Sequence, residues 1–499
     1  MDSRVTIGID LGAESGRVMA GVLDAGTLRA EELHRFATGA SEIAGTLRWE
    51  VERFWREIQH GLRVAGERFG GRVASIGVDS WGVDYVLLDE AGRLVETPWH
   101  YRDPRNVAAY AAVLQRMPRE EIFAASGCQF MPLNTLYQLA ASHAADPAVL
   151  ARAKTLLLIA DYVHFRLTGT RAAEFTNAST TQFLHPVTRA WSVTLLEKLG
   201  LPAHLLPRLI PPGTRLGTLL PEVAQATGLG AIEVVAPATH DTASAVVAVP
   251  TEHTGRANWA YISSGTWSLV GVELPQASLT PRTLALNLTN EGGVDGTYRL
   301  LKNVMGLWLV QECRRSFARA GAAADYAALT RQAAAAPAFR SLIDPDHTGF
   351  LKPDDMPAAI RAFCANTRQP MPEDAGQFVR CALESLALKY AVVLDALEAV
   401  TGQRIEVIHI IGGGSRNRLL NQFTADACAR PVIAGPSEAT MLGNMLMQLR
   451  ARGELASLDA LRAVVRASGD WERFLPRNDP AWAAARKRFA QIIGQAGCG

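Results

Sequence analysis

The 499-residue sequence has almost no net charge: fifty Lys and Arg stand against 49 Asp and Glu, a formal +1. That balance excludes the broad positive field by which proteins hold nucleic acid or anionic membranes, so any phosphate must be gripped locally. Cysteine is sparse. Cys128, Cys313, Cys364, Cys381, Cys428 and Cys498 contain no C-x-x-C pair, which argues against a zinc site or a disulfide framework and fits reduced cytoplasmic thiols. The charge-free stretch Ala257 to Val272 is shorter than a bilayer requires and contains Ser263-Ser264-Gly265-Thr266, so it predicts two strands and a turn. The chain opens on Met-Asp-Ser-Arg-Val-Thr-Ile, a strand pattern with no apolar run before a cleavage site, and a cytoplasmic location is expected. Neither G-x-x-x-x-G-K-[ST] nor a G-x-G-x-x-G after a strand occurs, so the two common nucleotide signatures are missing.

What is present is apolar mass and punctuation by glycine. Hydrophobic residues make up 48% and charged residues 20%, enough to bury sizeable cores, and the length exceeds one comfortable core. Two large α/β domains are expected, at residues 1–250 and 251–450, with helices over 451–499 packing back on the body. A β-rich run from Arg4 to Asp10, a turn from Gly12 to Gly16 and a second run from Val18 to Leu23 predict a glycine-tipped hairpin. Helical spacing covers Val51 to Phe69, and strands Val73 to Val78 and Val83 to Leu88 flank a polar loop. Arg105 to Leu206 reads as mainly helical. A buried strand from Ile232 to Ala236 leads through His240-Asp241-Thr242 into a helical Ala243 to Val249. A second glycine-tipped hairpin spans Asn258 to Val272. Later, the helix Gln377 to Val400 feeds a strand from Ile405 to Ile411, which ends in Gly412-Gly413-Gly414 before a helix from Asn417 to Ala429. The alanine runs at 322–324 and 333–336 receive no function.

Three glycine sites carry the phosphate chemistry. In Asp10-Leu11-Gly12-Ala13-Glu14-Ser15-Gly16-Arg17, bare backbone N–H groups can approach phosphate oxygens, and Asp10 can hold a hydrated Mg²⁺. Arg17 can offset charge on a transferring phosphoryl group. The same residues also suit a plain hairpin turn. Ser263-Ser264-Gly265-Thr266 offers a second such tip, and three glycines after an Ile-rich strand let a flat ring lie against backbone. His240-Asp241-Thr242 fits a helix cap, and it equally fits a general base at a domain junction, with Asp241 reaching a substrate hydroxyl. In Asp79-Ser80-Trp81-Gly82-Val83-Asp84 the indole and the glycine suit either a polyol or a core.

Two glycine hairpins opening two β-rich halves, with a strand-GGG-helix in the second, follow the plan of actin-like ATPases and sugar kinases with RNase H-like domains and an ATP and substrate cleft between them. More specifically, the chain from Asp10 to about Leu449 resembles the FGGY carbohydrate kinases. The resemblance rests on residues 10–17 and 79–84, Tyr101-Arg102-Asp103, Thr239 to Ala245, Ser264 to Ser268, Asn290-Glu291-Gly292-Gly293, Leu301 to Gln311 and Gly412 to Asn417. It implies an ATP- and Mg²⁺-dependent kinase of a small-molecule ketose, L-rhamnulose foremost, acting at the C1 hydroxyl. It further implies Asp241 as general base, with Ala13, Glu14, Ser15, Gly16, Arg17, Thr266, Gln311 and Gly413 against ATP. Gly82, His240, Asp241, Thr242 and Asn303 would face the sugar. Asn134-Thr135-Leu136-Tyr137 stands where the family often has Lys and Trp, and Glu14, where a smaller residue is usual, is expected to point away from ATP. The alternatives are a kinase of fuculose or xylulose, or a non-catalytic nucleotide-binding regulator.

Overall fold

The computed structural model describes residues 4–322 and 325–496. Cys498 and part of the alanine run at 322–324 lie outside them. The chain divides into two compact units. The first comprises Met1–Gly255, Glu273–Leu300 and Glu438–Asp470, and the second Arg256–Val272, Leu301–Ser437 and Trp471–Gly499.

In the first unit a six-stranded sheet runs in the order Thr214–Thr218, Glu233–Ala236, Val73–Ser80, Val5–Leu11, Ser15–Asp24 and Thr27–Ala37. The central three strands are parallel to one another, and the hairpin strands add antiparallel at one side. Every residue of Val5–Leu11 is buried, as expected of a strand covered on both faces. One cover is a helix over Val51–Phe69, the span its periodicity predicts. The other is a helix over Ala439–Ala451. Two strands present glycine to it: a Cβ on Gly8 would come 2.6 Å from Met441 Sδ, and one on Gly77 2.6 Å from Asn444 Oδ1.

That second cover comes from residues that the contiguous division expected from sequence assigns to the second domain, and by compactness it groups with the first unit. Gln448 Nε2 donates to the Ile7 carbonyl (3.0 Å), and Ser75 Oγ donates to Gln448 Oε1 (2.8 Å). Beyond it, a helix over Leu458–Ala467 carries Arg462, fully buried against Glu273 at 2.7 Å. The last helix, Pro480–Ala496, belongs instead to the second unit, where Trp482 packs on Phe339 and Phe423. The C-terminal helices are thus shared between the units.

The region read as mainly helical also contains strands: Thr155–Leu158 pairs antiparallel with Tyr85–Leu88 over one large apolar cluster. Val83 does not extend that strand, because its φ is +68°, a left-handed conformation costly for a β-branched residue.

The second unit repeats the plan. Trp259–Ser264 pairs antiparallel with Trp267–Leu274 and parallel with Val407–Ile411, which pairs parallel with Val432–Ala434, itself antiparallel to Glu472–Phe474. A 27-residue helix, Ala375–Thr401, supports this unit, and its Tyr390 hydroxyl meets Ser268 Oγ at 2.7 Å.

Candidate active site

Strand topology gathers carboxylates at one place in the first unit. Asp10 and Asp79 are register partners near the carboxyl ends of adjacent parallel strands. Asp241 begins the helix Asp241–Val247, five residues past the end of the third parallel strand, and the bridge between Ser80 and His240 ties that loop to the second. Carboxyl ends of parallel strands are where loops leave a sheet and ligands bind.

The three acids differ in environment. Asp79 is fully buried; Asn444 Nδ2 donates to its Oδ2 (2.6 Å), while Oδ1 has no donor among the described residues. Burial, then the negative charge of Asp10, pushes Asp79 well above the usual carboxylate range. Asp10 is held by Arg17 Nη2 at 2.5 Å, and Arg17 also binds Glu438. Arg17 therefore sits between a carboxylate on the neighbouring strand and one at the start of the helix Ala439–Ala451, a partner set the sequence did not reveal. Asp241 keeps 30% of its side chain exposed. Desolvation by the surrounding protein raises its pKa; His240 opposes this and Asp10 adds to it. The Asp241 Oδ1 atom accepts from the Thr242 N–H at 2.5 Å, so the carboxylate is held at the helix N-terminus and still reaches the surface.

His240 stands behind Asp241. Its Nε2 lies 3.4 Å from Asp241 Oδ1, and its Nδ1 lies 3.0 Å from Arg299 Nη2 and 3.2 Å from Glu291 Oε2. A guanidinium only donates and a carboxylate oxygen only accepts, so Nδ1 faces one partner of each kind, while Nε2 faces Asp241. Arg299 and Glu291 are themselves buried. No spacing rule in the sequence marked either as a partner of His240.

The polar loop at 79–84 is mostly core. Trp81 packs on Trp49 with ring centroids 4.3 Å apart, and both indoles donate to Asp84, at 2.9 Å and 2.5 Å. Burial pushes Asp84 up to about 7 against these donors and Gln138. Gly82 is needed because a Cβ there would come 2.9 Å from the Thr180 side chain. The turn at Ala13, Glu14, Ser15 and Gly16 is partly exposed except at Gly16, and the Glu14 carbonyl accepts from the Thr38 N–H.

In the second unit the other two glycine turns meet. Gly412 has φ +80° and a Cβ position 3.1 Å from the Ser264 carbonyl oxygen, and Gly414 also abuts Ser264. These two glycines are required by packing. Gly413 differs: a Cβ there meets nothing within 4 Å, so it borders open space. The Thr266 carbonyl accepts from the Gly306 and Trp308 N–H groups, joining this turn to the helix Trp308–Arg319. That helix carries Gln311, whose Oε1 is buried without a donor among the described residues. Thr266, Gln311 and Gly413 thus fall in this unit, as does Asn303 on the strand Tyr298–Met305, whereas Gly82, His240, Asp241 and Thr242 fall in the first.

These features suit Mg-ATP. The Gln311 carbonyl can accept from a nucleotide, and the Asp79 oxygen without a donor beside Asp10 suits a hard cation. Among the described residues no group of three or more His, Cys, Asp or Glu is arranged to hold a metal, and Mg²⁺ bound largely by phosphates and water needs only one or two carboxylates. No helix among them is long and apolar enough to cross a membrane.

Comparison with known proteins identifies the family. Residues 5–248 match the N-terminal domain and residues 260–452 the C-terminal domain of the FGGY family of carbohydrate kinases. The chain is 44% identical to a rhamnulokinase of Bacteroides thetaiotaomicron, covering 97% of this chain and 98% of that protein, and 39% identical to one of Oceanobacillus iheyensis, covering 93% and 97%. Among solved structures, ligand-bound xylulose kinase from Lactobacillus acidophilus superposes with a TM-score of 0.80 at 17% identity over 99% of this chain and 98% of that one. Plasmodium falciparum glycerol kinase with ADP gives 0.76 at 15% over 99% and 97%. With both family domains matched and whole-length relatives above 30% identity, the chain belongs to the FGGY carbohydrate kinases and is an ATP-dependent sugar kinase.

Proposed function

We propose that the protein phosphorylates L-rhamnulose at its C1 hydroxyl, with Asp241 as the general base. The substrate follows from the rhamnulokinases to which the chain is similar over nearly its whole length. The role of Asp241 is carried by one observation: it keeps an exposed carboxylate edge at the helix N-terminus, where desolvation and then the charge of Asp10 raise its proton affinity.

In this reading the sugar hydroxyl lies against Asp241. The new bond joins C1 oxygen to the γ-phosphorus, the bond from that phosphorus to the β,γ-bridging oxygen breaks, ADP leaves, and the hydroxyl proton passes to Asp241. An ordinary Asp is a weak base, and a raised pKa makes it a better late acceptor. In a loose transition state the alcohol acidifies as its bond to phosphorus forms, so orientation matters more than basicity. His240, with Nε2 3.4 Å from Asp241 Oδ1, lies against the carboxylate and limits its movement. Arg17 keeps Asp10 fixed, and the turn from Ala13 to Arg17 offers backbone donors to phosphate. Thr266, Gln311 and Gly413 receive the nucleotide. Asp10 and Asp79 would hold a hydrated Mg²⁺, which would supply charge neutralisation on the phosphates. The 1-phosphate is expected because C1 bears a primary hydroxyl while C6 of a 6-deoxy sugar has none.

The test is a coupled assay with ATP and Mg²⁺ over L-rhamnulose, L-fuculose, L-ribulose, D-xylulose, D-fructose and glycerol. L-rhamnulose should give the highest kcat/KM, since each buried polar group left unpaired by a wrong isomer costs about 1–3 kcal/mol, roughly 10-fold or more. Preference for another member overturns the substrate. In the same assay Asp241→Asn should lose at least about 10²-fold in kcat with an unchanged melting temperature; near-normal turnover overturns the base.

A further inference from the structure

We infer that Glu174 is a positioning residue for phosphoryl transfer: through Thr176 and Thr239 it fixes the loop that presents Asp241. This rests on the reading of Asp241 as the base and adds a device outside the substrate site. Glu174 ends the short strand Ala172–Glu174 and is fully buried. Its carboxylate receives four hydrogen bonds. The Thr176 N–H donates to Oε1 at 2.9 Å; the Thr176 hydroxyl (2.5 Å), the Thr239 N–H (2.9 Å) and the Thr239 hydroxyl (2.8 Å) all donate to Oε2. Thr176 Oγ1 in turn accepts from the His240 N–H at 3.2 Å.

The other side of the loop is also held. The Thr239 carbonyl accepts from the Ser80 N–H at 2.9 Å and from Asn177 Nδ2 at 3.3 Å, and Ser244 Oγ donates to the Ala238 carbonyl at 2.7 Å. Thr239 and His240 therefore have both backbone N–H groups directed, one directly and one through Thr176, onto a single buried carboxylate. A buried charge is tolerated only when it is hydrogen-bonded in this way. The two residues immediately before Asp241 thus gain a fixed anchor, and the position of a reacting group is worth about 10²-fold in rate per ångström.

Each oxygen of Glu174 faces an obligatory backbone donor, so a glutamine at 174 must set its NH₂ against an N–H in either orientation. Glu174→Gln should lower kcat about 10- to 100-fold while leaving KM for ATP within twofold. Because that variant also disturbs a buried hydrogen-bond cluster on which stability depends, a gentler pair accompanies it. Thr239→Val keeps the shape and removes one donor, and Thr239→Ser keeps the donor and trims a methyl. Thr239→Val should lose about 5- to 20-fold in kcat at unchanged KM for ATP, and Thr239→Ser should return to within twofold of the parent. Equal kcat in the parent and Thr239→Val, or equal losses in Thr239→Val and Thr239→Ser, would overturn the inference, the latter by assigning the effect to methyl packing. Asp241→Asn runs alongside: an active Asp241→Asn removes the base reading, whereas an inactive one with full activity in Thr239→Val removes only the role of Glu174.

Discussion

Replacing Gly443 by alanine sets local propensity against packing. Gly443 lies in the helix Ala439–Ala451, which crosses the helix Asp241–Val247. In an open helix the change would stabilise by about 1 kcal/mol through the backbone entropy of glycine. Here a Cβ would stand 2.5 Å from the Ser244 carbonyl carbon and nearer still to its oxygen. Ordinary contact would require the helices to part by about 1.5 Å, because core side chains are already close-packed. Overpacking of this kind costs about 1–3 kcal/mol. The same movement stretches the 2.6 Å bond from Asn444 to Asp79, and weakening a hydrogen bond to a buried acid costs a further 1.5–3 kcal/mol, roughly. The net loss is about 2–5 kcal/mol, several degrees of melting temperature for a unit of roughly 300 residues. Since the displaced helix begins with Asp241, kcat should fall about tenfold as well, with KM for ATP little changed. Calorimetry and the coupled kinase assay read the two effects. A Gly443→Ala protein with parental or higher melting temperature would refute the packing argument, and parental kcat despite a lowered melting temperature would refute the link from this contact to the base.

Gly413→Val should leave the melting temperature unchanged, since a Cβ there meets nothing in the protein, yet raise KM for ATP several-fold with KM for the sugar unaltered; titration calorimetry showing weaker sugar and unchanged nucleotide binding would reverse the assignment. Asp84 gives a pH signature. Its folded pKa of about 7 lies above the ordinary 3.8, so the folded state retains a proton that the unfolded state has released. Stability from this group is full below about pH 4 and declines as pH rises toward 7. Between pH 5 and 8 the parent should lose about 3 kcal/mol more than Asp84→Asn, which cannot titrate; parallel stability curves by chemical denaturation would exclude it.

Much of the secondary structure was legible because it rests on local pattern. Helical spacing marked Val51–Phe69, and the run of apolar residues after Gln377 marked the long helix. Asn417 was read as the first residue of its helix, and its side chain caps that helix by accepting from the Leu420 N–H. Val83 was misread as strand, because β-propensity favours extension, whereas Thr180 and Thr135 hold its backbone N–H and carbonyl in a left-handed turn. Among the three glycines at 412–414, composition treated all alike, and only packing against Ser264 separates the two that the fold requires from the one that borders open space.

The sequence by itself determined the class of chemistry: acidic residues and glycine turns at strand ends, with no alternative nucleotide signature and no charge field, in an order that matches the sugar-kinase family. It did so because turns, caps and strand ends depend on neighbours a few residues apart. Tertiary structure alone decided which groups act together. Asn444 reaches Asp79 across 365 residues, Glu438 reaches Arg17 across 421, and Arg299 reaches His240 across 59. Such partners leave no periodic trace, since their placement depends on how helices settle on a glycine-lined sheet rather than on any spacing along the chain.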